Sequence, residues 1–340
     1  MFGNILVPLD GSAMADRILP HVAAVAQIGG PPAAITLLRI LETDNAASTA
    51  VDPLAWKFAQ DEAQAHLDEM GRRLATLGFA SNTVLLEGGS ARRIVEYVHT
   101  QGVDLLLLSS HGQGGLSGWN VSGVAQKVIH LAGTSVMLVR SSDESAEDHD
   151  QVDARIVQYQ HILAPLDGSQ RAESALPLAS ALAERHAAEL MVVHVVVRPE
   201  MIERVPLSQE DAALAESVVA RNSVEADKYF AQLQSRLPVR SRTRVIVDNN
   251  ITGALHQFVE QEQIDLVVLS AHGQGCYSRL PYSALVNSFI TYGITSLLIL
   301  QDLSSNEMRR SKGESVAEDV PMPTRRANEE GLNGRAPLAV

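Results

Sequence analysis

The sequence predicts two copies of one α/β domain in tandem, each a doubly wound parallel sheet of five strands with helices on both faces. Three observations carry this reading. Pro8-Leu9-Asp10-Gly11-Ser12 recurs as Pro165-Leu166-Asp167-Gly168-Ser169, an offset of 157 residues. His111-Gly112-Gln113-Gly114 recurs as His272-Gly273-Gln274-Gly275, while Asp104-Leu105 and Thr134-Ser135 recur as Asp265-Leu266 and Thr295-Ser296, all at 161. Within each copy, short apolar runs alternate with amphipathic segments, the pattern of a parallel sheet whose crossovers cover both faces. Motifs in one order at a near-constant offset mark a duplication.

The elements follow in order. Ile5–Leu9 is a short apolar run stopped by Asp-Gly-Ser, and Ser12 is an N-cap for a helix that carries Ile18, Val22 and Val25 on one face. Ile35–Ile40 is the second strand. Ala63, Leu67, Met70, Leu74 and Leu77 step at helical spacing and predict a long amphipathic helix. Thr83–Glu87 is the third strand, closed by Gly88-Gly89, and Ile94 and Val98 mark the helix after it. Asp104–Ser109 is apolar on both faces, as a central strand is. Val121, Val124, Val128 and Leu131 mark the last helix, and Ser135–Val139 is the fifth strand. The second copy repeats this with strands near His161–Leu166, Leu190–Val197, Thr243–Val247, Asp265–Ser270 and Ser296–Leu300, and a long helix through Ala226, Phe230, Leu233 and Leu237.

These signals place one domain at 1–141, a linker at 142–158, a second domain at 159–302 and a tail at 303–340. The linker region carries six acidic residues and one arginine over 141–155, with no apolar periodicity. The tail has six acidic and six basic residues and no aromatic, the composition of a disordered, solubilising segment.

Composition narrows the function. Forty acidic against 27 basic residues give a net charge of −13, which argues against a nucleic-acid binder and against docking on anionic lipid. A single cysteine, Cys276, excludes an internal disulfide and any multi-cysteine metal site. The start MFGNILVPLDGS has neither a basic nor an apolar leader region, and no apolar run is long enough to span a bilayer, so a cytoplasmic protein is expected.

An open parallel sheet binds ligands beyond the carboxyl ends of its strands, where strand order reverses. Both recurrent motifs stand at such ends: Asp10-Gly11-Ser12 after the first strand and Ser109–Gly115 after the fourth. Gly112, Gly114 and Gly115 allow backbone N–H groups to approach an anion, and the following helix N-terminus, with Ser122, adds donors. This is phosphate-binding equipment without a lysine. No P-loop motif is present, and Ser117 stands where a dinucleotide fingerprint needs glycine.

The segments ILVPLDGS and ILAPLDGS, with DLLLLSSHGQGGLSGWNVSGVAQKVIHLAGTSVMLVR and DLVVLSAHGQGCYSRLPYSALVNSFITYGITSLLIL, resemble the universal stress protein family over roughly 1–140 and 159–301. The resemblance implies Rossmann-like domains of the adenine nucleotide alpha hydrolase type and a stress-response regulator that binds ATP or a related adenine nucleotide, with Mg. It implies action through conformation or partners rather than turnover. Carried over by position, it assigns nucleotide contacts to Asp10, Gly11, Ser12, Ile40, Gly88, Ser109, His111, Gly112, Gly114, Ser122 and Gly123. A weaker second site comprises Asp167, Val195, Ser270, Gly273 and Ser283. Ser109, the reversed pair Ser122-Gly123, and Ser270 with Ser283-Ala284 depart from the family's glycine pattern, and the second copy departs further. The resemblance also implies pairing through fifth strands, here between Val136–Val139 and Leu297–Leu300 of one chain, and homodimers and protein partners elsewhere.

Other readings stand beside these. Asp10 and Asp167 suit a turn, Ser12 and Ser169 suit N-caps, and the glycines suit a strand-to-helix turn. His111 and His272 suit structural hydrogen bonds, since no triad spacing is legible. Cys276 suits an inert thiol, and Trp56 and Trp119 suit packing. Scattered histidines give no metal motif. An adenylating enzyme would need an H-x-G-H motif where Asp-Gly-Ser stands, and with no base or lysine evident any ATP hydrolysis would be slow. The alternative to nucleotide binding is a dimerising scaffold with both sites degenerate.

Overall fold

The computed structural model describes residues 2–28, 33–42, 52–110, 121–140, 156–199, 208–274 and 282–302. The first half contributes β1 (Asn4–Leu9), α1 (Ala13–Asp16), α2 (Leu19–Ala26), β2 (Ala34–Leu41), α3 (Pro53–Thr76), β3 (Ser81–Glu87), α4 (Ser90–Gln101), β4 (Leu105–Ser109), α5 (Gly123–Ala132) and β5 (Ser135–Val139). The second half contributes β6 (His161–Pro165), α6 (Gln170–Glu173), α7 (Leu176–His186), β7 (Glu189–Val196), α8 (Gln209–Gln234), β8 (Ser241–Val247), α9 (Ile251–Gln261), β9 (Leu266–Ser270), α10 (Ala284–Tyr292) and β10 (Ser296–Leu300). The sequence places every strand within about two residues of its position, the ordinary uncertainty of a strand end.

The strands form one ten-stranded sheet in the order β3-β2-β1-β4-β5-β10-β9-β6-β7-β8. Each half is parallel throughout. The halves meet antiparallel, with Leu297 opposite Leu138, Leu298 opposite Met137 and Ile299 opposite Val136. All six side chains are buried. Two bonds related by the duplication extend the seam: the Arg140 N–H donates to Ser296 Oγ at 3.3 Å, and the Gln301 N–H to Ser135 Oγ at 3.1 Å. Arg140 Nη2 also donates to the carbonyls of Phe289 at 3.1 Å and Ile290 at 2.5 Å, and burial lowers its guanidinium to about 10. The fifth-strand edges of both halves, which would otherwise template aggregation, are therefore covered within the chain.

Alternate residues of each strand enter opposite cores. Ile5, Val7, Leu105, Leu107 and Met137 lie in one, and Leu6, Leu106, Leu108, Val136 and Leu138 in the other. Both cores run continuously across the seam. The recurrent Asp104 and Asp265 explain where β4 and β9 begin, one residue later than the apolar run suggests. Asp104 Oδ2 accepts from the N–H groups of Gly3 and Asn4, each at 2.9 Å. Asp265 accepts from Gln160 at 2.7 Å and His161 at 3.3 Å. Each carboxylate satisfies the orphan donors at the start of the neighbouring first strand.

The helices need three corrections. The single helix expected after Ser12 is broken into α1 and α2, with Ile18 as the N-cap of the latter. Pro20 in the first turn of α2 has no N–H for the Asp16 carbonyl, and Pro177 breaks α6 from α7 at the equivalent place. On α5 the buried face is Ala125, Val128, Ile129 and Ala132. Val124 and Leu131 point to solvent at 40% and 49% exposure, and Val121 precedes the N-cap. Two alanines let this helix lie close on the sheet, and the larger side chains fall on its outer face. Leu77 caps α3 and Leu237 lies beyond α8, so neither belongs to the helix that its spacing suggests.

Tyr159 is buried between the halves on the opposite face from α5. Its hydroxyl lies 2.8 Å from His21 Nδ1 on α2, and its ring packs on His186 of α7 at 4.9 Å. The Val157 N–H donates to the Pro20 carbonyl at 3.4 Å, so the end of the expected linker is packed between the halves. Of that linker, 142–155 lie outside the described residues, as does the tail at 303–340.

Candidate functional site

In the order β2-β1-β4-β5 the direction of winding reverses between β1 and β4, which pair at Ile5 with Leu105 and Leu6 with Leu106. Asp10, Gly11 and Ser12 directly follow β1 and Ser109 ends β4, so these residues stand at the carboxyl ends of the two neighbouring strands. Asp10 Oδ1 accepts from the Ser12 N–H at 2.9 Å and the Ser12 hydroxyl at 2.6 Å, and Ser12 Oγ accepts from Ala15 N–H at 3.1 Å. Gly11 at the apex has φ +83, a conformation that excludes most side chains. Turn, cap and crevice wall are thus one structure. At the far side Ser110 N–H donates to the Val139 carbonyl, and the Ser110 carbonyl accepts from Ser122 N–H, both at 2.9 Å. Ser122 Oγ then caps α5 through Ala125 N–H at 3.2 Å. Ser109 ends β4, opposite Val139. Gly123 opens α5 with open space around its Cβ position, so neither crowding nor backbone requires glycine there. Gly88 is required by its backbone, with φ +128. His111, Gly112, Gly114 and Gly115 lie outside the described residues, as do Trp119 and Cys276. Trp56 lies half-buried on α3.

The structure adds a first-half residue that the motifs omit. Arg39 stands near the carboxyl end of β2, one residue before Ile40, and its guanidinium lies over the Asp-Gly-Ser turn. A Cβ on Gly11 would stand 2.6 Å from Arg39 Nη2. No described residue holds this cation in a hydrogen bond or ion pair. The signal in the sequence is a lone arginine in the strand AITLLRIL, but its nearness to Gly11 depends on the β1–β2 register, in which Leu9 stands opposite Arg39.

The second half holds a cavity of about 430 Å³ at the matching reversal between β6 and β9. Asp167, Val195, Ser270, Gly273 and Ser283, the five residues of the second site, all line it. Asp167 Oδ1 accepts from Ser169 N–H at 2.9 Å, and Oδ2 accepts from Gln274 N–H at 2.5 Å. Burial would raise this carboxyl, but these bonds outweigh burial and hold it below its ordinary value. Ser169 caps α6 through Ala172 at 3.1 Å, and Ser283 caps α10 through Val286 at 3.3 Å. Where the first half has Arg39, the second has His194, whose Nδ1 bonds the Leu166 carbonyl at 2.9 Å. Ser270 Oγ is buried and no described residue hydrogen-bonds it.

His272 is buried, with Nδ1 2.7 Å from Asp302 Oδ1, and Asp302 Oδ2 takes Arg171 Nη1 at 3.3 Å. That agrees with a structural role for the histidine and adds Asp302, a partner beyond the last strand that no motif marks. Tyr282, also on the cavity wall, donates its hydroxyl to the Ile129 carbonyl of α5 at 3.0 Å and so ties this wall to the first half. Among the described residues no group of three or more His, Cys, Asp or Glu side chains is placed to hold a metal. No described helix is long and apolar enough to cross a membrane.

Comparison with known proteins agrees with this architecture. A universal stress protein of Mycolicibacterium smegmatis is 22% identical over 307 residues, covering 88% of this chain and 97% of its own. A solved protein of Pseudomonas aeruginosa PAO1, described as functionally unknown, aligns over 92% of this chain and 98% of its own with TM-score 0.59 and 16% identity. A solved universal stress protein of Archaeoglobus fulgidus aligns over 88% and 96% with TM-score 0.56 and 14% identity. The sequence profile of the universal stress protein family matches residues 1–140 and 158–290. The chain therefore belongs to the universal stress protein family, with both halves matching it.

Proposed function

We propose that this protein is a cytoplasmic stress-response regulator that binds ATP or a related adenine nucleotide, accompanied by Mg, mainly in its first half. It acts through conformation or partners rather than through turnover. One observation carries the choice of half: Arg39 brings a cation that no described residue pairs over the Asp10-Gly11-Ser12 turn, at the reversal between β1 and β4. A guanidinium matches phosphate oxygens in geometry and charge. In support, Ser12 follows β1, Ser109 ends β4, Ser122 caps α5 beside Ser110, Ile40 follows Arg39 on the strand, and Gly88 follows β3.

Calorimetric titration with Mg-ATP tests this. Wild-type chain is expected to bind one nucleotide, and Arg39→Glu to weaken it at least about thirtyfold, the lower end of what losing one partner of a charged pair costs. Absence of binding to ATP, ADP and AMP at millimolar concentration contradicts the proposal and leaves the scaffold reading.

A further inference from the structure

The sheet ends at β8, and no described strand pairs with its outer edge. The register with β7 runs unbroken from Ser241 opposite Leu190 to Val247 opposite Val196. At its two ends the Arg240 carbonyl accepts from the Leu190 N–H at 3.5 Å, and the Asp248 N–H donates to the Val196 carbonyl at 3.1 Å. Even-numbered positions therefore bond inward, and Ser241, Thr243, Val245 and Val247 turn their N–H and carbonyl groups away from β7. The Ser241 carbonyl accepts from Gln234 Nε2 at 3.2 Å, as an outward group can. From Thr243 to Val247 the outward backbone groups meet no described partner.

The same stretch concentrates positive charge. Arg236, Arg240, Arg242 and Arg244 fall within nine residues of a chain whose net charge is −13. Arg242 pairs with Glu262 at 3.0 Å, and Arg236 lies 4.0 Å from Glu173. Arg240 is exposed but shares a groove with Glu184 and Glu189. Arg244 is exposed, and no described residue pairs with it. Edge cations can simply deter pairing between sheet edges. Yet β3, the opposite edge of this sheet, has no basic residue and ends at Glu87. The fold tolerates an edge without such cations, so their concentration on β8 points to a partner of opposite charge. Outward N–H and carbonyl groups at strand spacing match an extended peptide backbone. No aromatic residue stands in 235–248 to stack a nucleic-acid base.

We infer that the β8 edge is a docking strand for an extended acidic segment of a partner protein. The segment adds to the sheet beyond β8 and sets its carboxylates against Arg244. This rests on the second half alone and stands whether or not the first half binds nucleotide.

The test measures fluorescence anisotropy of a labelled peptide alternating glutamate and valine, titrated with the full chain. The controls are the same peptide with lysine for glutamate, the same peptide N-methylated along one backbone edge, and a labelled oligothymidylate. Wild type is expected to bind the glutamate peptide, more weakly as salt rises. Arg244→Glu should bind it at least about tenfold more weakly. Thr243→Pro removes one outward N–H, leaves the bonds to β7 in place, and should weaken binding about tenfold with the thermal midpoint little changed. If that proline prevents folding, the exposed Arg244→Glu and the N-methylated peptide still decide. No binding of the glutamate peptide overturns the inference. So does equal binding of the lysine or N-methylated peptide, or binding that Arg244→Glu or a folded Thr243→Pro leaves unchanged. Oligothymidylate binding at comparable affinity, lost in Arg244→Glu, overturns it in favour of a general polyanion surface.

Discussion

The two halves share a scaffold and differ in charge at corresponding points. Both close their fourth strand onto the fifth helix in the same way: Ser110 and Ala271 each donate to the end of the fifth strand and accept from the capping Ser122 or Ser283. Both join the first short helix to the long one through a part-buried pair, but His66 with Asp16 in one half becomes Tyr229 with Glu173 in the other. At the strand ends the side chains differ. Among the described residues nothing pairs with Arg39 over Gly11, whereas His194 Nδ1 bonds the Leu166 carbonyl and the Asp167 carboxylate takes the Gln274 N–H. The duplicated fold keeps its backbone contacts and changes one or two side chains at the strand ends.

The largest effect is expected where the comparison itself is broken. Leu298 is fully buried at the seam opposite Met137. Leu298→Asp should destabilise the protein by about 4 kcal/mol or more, because an isolated carboxylate has no partner there. Differential scanning calorimetry should then resolve two transitions in place of one, and a single unshifted transition would contradict a cooperative sheet. Next comes Arg39→Glu, with its loss of ATP affinity.

The packing of α2 on Tyr159 should respond to pH. Burial lowers His21 from 6.5 to about 4. Below pH 6.5 the unfolded chain takes a proton that folded His21 refuses, so its contribution is intact above that value and is lost as pH falls toward 4. The loss should reach roughly 2 kcal/mol, less than the full shift implies because the ring still touches solvent. Denaturant titrations at pH 7 and pH 4.5 should show this for wild type and lose it in His21→Phe. An equal pH dependence in both would remove His21 as the cause.

The smallest effect sharpens the comparison most finely. Gly11 and Gly168 have φ +83 and +82, so alanine strains each backbone alike, by about 1 kcal/mol. A Cβ at Gly168 meets nothing within 4 Å, whereas at Gly11 it meets Arg39. Gly11→Ala should therefore also weaken ATP binding, and Arg39→Ala should abolish the difference in stability between the two glycine variants. Equal behaviour of both glycine variants in ATP titrations would place Arg39 elsewhere in solution.

Much of this fold is legible from local pattern. Apolar runs mark the inner strands because those are largely buried on both faces, whereas the edge strands β3 and β8 are partly exposed, and repeated turn residues mark the ends of the first strand of each half. Pro20 and Pro177 also announce the helix breaks, once the missing N–H is set against Asp16 and Glu173. The site is less legible because its decisive contacts join distant residues through strand register. Arg39 reaches Gly11, Asp302 reaches His272, and Tyr282 reaches Ile129 only in the folded sheet. Helix α5 misleads for a different reason, since two of its four packing residues are alanines while Val124 and Leu131 face water.

The most direct test of the central claim, that the first half rather than the second carries the nucleotide site, is native mass spectrometry of the full chain with Mg-ATP. The account predicts one ATP per chain, lost in Arg39→Glu. Two ATP molecules per chain, or one that Arg39→Glu leaves in place, would contradict it.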